Sequence, residues 1–71
     1  MSYNTTIFPS KEALGHVVLD YVNVPTVVIT AINDNDDVRI VITNISNKGF
    51  NWSTHGADSP INGISWLSIG I

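Results

Sequence analysis

Thr26-Val27-Val28-Ile29-Thr30-Ala31-Ile32 and, after a polar interval, Val38-Arg39-Ile40-Val41-Ile42-Thr43-Asn44-Ile45-Ser46 decide the fold. Almost every residue in these two runs is β-branched. Such side chains lose rotamer freedom in a helix and pack well on a pleated surface. The bias holds along the whole chain: 8 Val, 10 Ile and 6 Thr make up 24 of 71 residues. Turn-forming residues recur at short spacing, at Pro9-Ser10, Asn23 with Pro25, Asn33 to Asp37, Asn47-Lys48-Gly49, and Gly56 with Asp58 to Pro60. Short strands punctuated at this interval predict an all-β sandwich or barrel. Six strands are expected, over 5–8, 15–22, 26–32, 38–46, 49–54 and 61–70, with one helical turn over Ser10–Leu14 capped by Ser10. The Asn33–Asp37 run is expected to be a hairpin turn between the third and fourth strands, since Asn and Asp tolerate left-handed backbone angles.

Alternation within the strands is informative because it fails. In the second, Val17, Leu19 and Tyr21 share one face, while His16, Val18, Asp20 and Val22 share the other. In the third, Val27, Ile29 and Ala31 oppose Val28, Thr30 and Ile32, so both faces carry apolar groups. An antiparallel sheet with one wet face alternates cleanly. Two apolar faces on so short a chain imply an external cover, and another copy of the chain is the simplest one. The size argues in the same direction. Below about 70–80 residues a single core rarely supplies more than about 3–5 kcal/mol without disulfides, metal or oligomerisation. There is no cysteine here.

Composition excludes several functions. Hydrophobic residues make up 44% of the chain, the formal net charge is −3, and the three basic residues are Lys11, Arg39 and Lys48. They are too few for the positive patch that phosphate-backbone binding requires, so nucleic acid is not an expected partner. No run of about 18 apolar residues is present, and no membrane insertion is expected. No basic-led apolar segment follows Met1, so no secretory signal is expected. Ser and Thr are plentiful, but no nucleophile elbow, phosphate loop or paired-His motif accompanies them, so neither catalysis nor a cofactor is expected. Asn33-Asp34-Asn35-Asp36-Asp37 is rich in oxygen ligands but lacks the glycine and terminal Glu of the helix-flanked calcium loop, so no metal is expected.

Two polar side chains stand out. Arg39 is the only Arg and lies among Val38, Ile40, Val41 and Ile42. Its planar fork can serve a carboxylate or sugar hydroxyls, and the competing reading is an ion pair with Asp36, Asp37 or an acid on another subunit. His55 lies in the loop 54–60 and can hydrogen-bond a ligand hydroxyl. His16 carries no assignment. Trp52 and Trp66 can stack on a sugar, but in apolar strands such residues are more often core.

The order Pro25-Thr26-Val27-Val28, then Val38-Arg39-Ile40-Val41, then Asn47-Lys48-Gly49-Phe50, closing on Ile64-Ser65-Trp66-Leu67-Ser68-Ile69-Gly70, resembles the H-type lectin domains. These occur in snail agglutinin, in the C-terminal domain of slime-mould discoidin, and appended to bacteriophage tail fibres. The resemblance covers about residues 17–71. It implies a six-stranded antiparallel β-sandwich that forms a homotrimer, or a hexamer of paired trimers, and binds carbohydrate near the clefts between subunits. It matches Arg39 and His55 to the family's sugar-contacting Arg and His, with Asp58 and Asn51 as further donors or acceptors. The family's aromatic before that His is Thr54 here, a further loop aromatic is replaced by Pro60, and the N-terminal loop that supplies an acidic ligand is shortened, with Asp20 or Glu12 as substitutes. Residues 15–71 are then the lectin-like sandwich and 1–14 an arm or tether. The expected function is non-enzymatic glycan binding at a tail-fibre tip, in a virion assembled in the host cytoplasm. The alternative is a structural virion component, a decoration or fibre trimer that contacts neighbouring virion proteins.

Overall fold

Six stretches enriched in β-branched and aromatic residues pair into two antiparallel three-stranded sheets in the computed structural model, which describes residues 1–34, 38–55 and 59–71. The strands are β1 (Ser2–Glu12), β2 (Leu14–Val18), β3 (Thr26–Ile32), β4 (Ile40–Ser46), β5 (Gly49–Thr54) and β6 (Ile61–Ile69). Sheet I has the order β1-β6-β3 and sheet II the order β2-β5-β4. The protein is all-β, as its composition predicts, and the two layers are compatible with a sandwich.

The core lies between the sheets. Ile64 and Trp66 of β6 face Phe50 and Trp52 of β5, with Leu19 and Ile61 completing the buried set. Trp66 and Phe50 meet edge to face, ring centroids 6.2 Å apart at 82°. That geometry brings a positive ring edge to a negative ring face. Phe50 and Ile61 are wholly buried, each contributing about 1.5–3 kcal/mol of transfer free energy. The two tryptophans are therefore core residues, with no open face for a sugar.

One end of the sandwich is closed by a corner. β1 leaves its partner between Ile7 and Glu12, where four residues (8–11) stand against one of β6. A bulge of this kind bends a strand and re-aims its side chains. Here it turns Phe8 onto Trp52, rings parallel within 1° and centroids 5.5 Å apart. The chain then passes through Ala13, whose carbonyl accepts from Thr54 N–H at 2.8 Å, and enters sheet II as β2. Trp52 has room because its cross-strand partner is Gly15, where a Cβ would lie 2.7–2.9 Å from three indole atoms. At the opposite end Ser68 is fully buried and shares a 2.7 Å hydrogen bond with Tyr21 Oη.

Three sequence expectations are corrected. Ser10–Leu14 is not a helical turn: residues to Glu12 belong to β1 and Leu14 starts β2, because ladder pairing across 39 to 49 residues, Leu14 with Ser53 and Glu12 with Ile61, outweighs a local cap. β3 and β4 are not the two arms of a hairpin, since they lie in different sheets; of the Asn33–Asp37 run expected to turn between them, residues 35–37 lie outside the described residues. The second strand stops at Val18, because Leu19 and Tyr21 instead donate to Lys48 and Asn47 carbonyls in the β4–β5 turn. The strand expected over 5–8 is present and longer, running Ser2–Glu12 as an edge strand of sheet I.

Each sheet also has an outer face, read directly from the register. On sheet I, Tyr3, Leu67 and Val28 form one cross-strand row, and Ile7, Gly63 and Ile32 form another. Between them runs a hydroxyl row, Thr5, Ser65 and Thr30, with Thr5 Oγ1 and Ser65 Oγ 3.2 Å apart. On sheet II the rows are Leu14, Ser53 and Val41, then His16, Asn51 and Thr43.

Candidate functional site

β4 and β5 pair with constant register from Ile40↔Thr54 to Thr43↔Asn51. One step beyond Ile40↔Thr54, His55 N–H donates to the Arg39 carbonyl at 2.9 Å. That bond sets Arg39 and His55 opposite each other at the end of sheet II, although 16 positions separate them in sequence. Both are exposed, and Arg39 stands just before β4 rather than in its middle. Arg39 lies just before β4 and His55 just after β5, so the pair sits at the end of sheet II rather than within its ladder. Among the described residues the Arg39 guanidinium has no carboxylate partner; the ion pairs are Lys48–Asp20 at 3.0 Å and Lys11–Asp34 at 4.0 Å. The proposed partners Asp36 and Asp37 lie outside the described residues, as does Asp58.

Asn51 lies on the outer face of sheet II, away from that end. It is four residues from His55 along β5, or about 13 Å at the usual strand rise. Its partner is His16, directly opposite on β2, with Nδ1 and Oδ1 2.6 Å apart. Oδ1 can only accept, so the imidazole Nδ1 carries the proton and Nε2 is the atom left toward other partners. The His16 ring lies over Gly49: a Cβ there would sit 3.1 Å from Nε2 and 2.3 Å from the Val17 carbonyl. The glycine, at φ +151°, thus admits both the turn and the ring.

Sheet II therefore offers two polar stations, Arg39 with His55 at its end and His16 with Asn51 at the middle of its outer face. Ser53 lies between them, flanked by Leu14 and Val41. A guanidinium contributes five donors in a plane, and imidazole and amide contribute directional donors and acceptors. Such a surface can bind a polyhydroxylated or carboxylate-bearing ligand by hydrogen bonds. His16 was missed in the sequence because its partner lies 35 residues away, and only the β2–β5 register discloses it.

The acidic substitutes differ in position. Asp20 is engaged by Lys48 near the β4–β5 turn. Glu12 lies at the β1–β2 corner, where Pro9, Ser10, Lys11 and Glu12 line a shallow depression of about 370 Å³. Among the described residues no cluster of three His, Cys, Asp or Glu is placed to hold a metal ion. No family model, curated protein or solved structure matches this chain.

Proposed function

We propose that this chain is a non-enzymatic carbohydrate-binding module that works as a homotrimer, in the manner of a receptor-binding tip on a phage-like tail fibre carried in the virion. The observation that supports it is the side-by-side placement of Arg39 and His55, both exposed, with no acid from the described residues on the guanidinium. The two residues that the lectin resemblance matches to sugar contacts thus come from different strands to one edge. Each site would bind weakly, and three copies on one particle would raise avidity without any new contact.

A structural virion role, with the same fold holding neighbouring protein subunits, is the second reading. The uncharged, largely apolar outer face of sheet I favours it.

A glycan array read alongside light scattering separates the two. Arg39→Ala is expected to lose about 10–100-fold in glycan affinity, the range for one charge-assisted hydrogen bond, with particle mass unchanged. Dissociation of the assembly by Arg39→Ala, or an array on which the wild type binds nothing, would overturn the carbohydrate reading and leave the structural one.

A further inference from the structure

Short of the β1 corner, where Lys11 and Glu12 lie and Glu12 pairs with Ile61, the paired positions of sheet I carry no Asp, Glu, Lys, Arg or His. Residues 2–7, 26–32 and 63–69 include none of the nine Asp, Glu, Lys and Arg side chains and neither histidine. Sheet II carries Arg39, His16 and His55. We propose that the outer face of sheet I is the surface through which copies of this chain associate, leaving the Arg39–His55 end of sheet II outside the contact. This rests on the reading of the protein as a multi-copy module.

Three observations support a second copy as the occupant. The first is the polarity of β1, which is inverted for a free-standing sandwich. Its outward positions include Tyr3, 79% exposed, and Ile7, while its core-side positions are Ser2, Asn4 and Thr6. Shifting a strand by one residue exchanges its faces, so register normally follows the buried side. The register present is favourable only where something dry lies outside.

The second is charge. The chain carries a net charge of −3, and copies repel wherever their acidic surfaces meet. On this face no charge has to be desolvated and none opposes its like. A partner selected by charge would find nothing here to recognise, whereas a second copy presents the same apolar rows flanking the same row of hydroxyls.

The third is area. Three strands about 4.8 Å apart and seven residues long make a face of roughly 14 by 24 Å, so two copies cover about 700 Å² in projection. That flat footprint leaves out the relief of the side chains and is of the order of the smallest specific interfaces, about 1,000 Å². Tyr3, Leu67 and Val28 supply the ridge, and Gly63 supplies a hollow between Ile7 and Ile32. In a trimer the ridge of each copy meets the hollow of the next around the shared axis, a heterologous contact that closes.

The test places one lysine on each side of the sandwich. Val28→Lys and Tyr3→Lys load the outer face of sheet I at positions 62% and 79% exposed. Val18→Lys loads sheet II at a position 78% exposed. Light scattering at micromolar concentration is expected to give a multiple of 7.7 kDa for wild type and for Val18→Lys, and 7.7 kDa for the two sheet I variants, all with wild-type far-UV circular dichroism. Should Val28→Lys fail to fold, Tyr3→Lys on the edge strand decides. A wild type that is monomeric, sheet I variants that keep the wild-type mass, or a Val18→Lys variant that dissociates would each overturn the proposal. Particle mass is read without sugar, so failure here is distinguishable from failure on the glycan array.

Discussion

Adding a single methyl group at position 15 tests how the corner between the sheets is built. In Gly15→Ala the new Cβ would lie 2.7 Å from Trp52 Nε1, 2.8 Å from Cε2 and 2.9 Å from Cζ2. All three belong to a rigid, buried ring that is already stacked on Phe8, so no flexible tip is available to swing aside. Overpacking of this kind costs about 1–3 kcal/mol. Alanine restricts the unfolded chain more than glycine does, which offsets about 0.4–1 kcal/mol of that cost. The net expectation is a loss of about 1–2 kcal/mol, or roughly 5–15 °C in Tm for a domain of this size. Thermal unfolding followed by circular dichroism at fixed protein concentration measures it. Gly70→Ala is the control, because there the nearest atoms, on Pro25, are 3.1 Å away and a small shift suffices. Trp52→Phe supplies the second arm: the smaller ring should cost less in the Gly15→Ala background than in wild type, a coupling of about 0.5–3 kcal/mol. A Gly15→Ala protein as stable as Gly70→Ala would refute the claim that the indole occupies the space of a missing side chain.

Two further substitutions probe polar contacts of opposite worth. Ser68→Ala and Tyr21→Phe each remove one end of a buried 2.7 Å hydrogen bond and are expected to lower the free energy of unfolding in urea by about 1–2 kcal/mol, with the double variant costing less than their sum. Lys48→Ala removes the 3.0 Å pair with Asp20, but those side chains are 70% and 91% exposed, so stability should change by less than about 0.5 kcal/mol in the same titration.

Much of the fold is legible in residue type. The runs at 26–32 and 49–54 are strands with the expected bounds, because β-branched and aromatic side chains there serve both local preference and the core. The N-terminus was less legible. Ser2, Asn4, Thr5 and Thr6 offer no apolar alternation, and their strand exists because β6 supplies a ladder 58 to 66 residues away. The Ser10 cap lost to that same ladder and to the Phe8–Trp52 stack. Of the site, Arg39 and His55 could be singled out, but their adjacency depends on β4–β5 register. The His16–Asn51 bond depends on β2–β5 register, which no local pattern encodes.

The position of β6 between β1 and β3 has a consequence for biosynthesis. The strand that holds sheet I together is the last of the six to be synthesised, and it pairs with the first of them, Ser68 with Ser2. A ribosome-bound chain ending before residue 61 has no template on which either flanking strand can close. Closure of sheet I thus awaits β6, and loops of such span close slowly. The nascent polypeptide therefore leaves the tunnel with the apolar side chains of β3 still wet, and a stalled or truncated product is the form of this molecule most prone to aggregate.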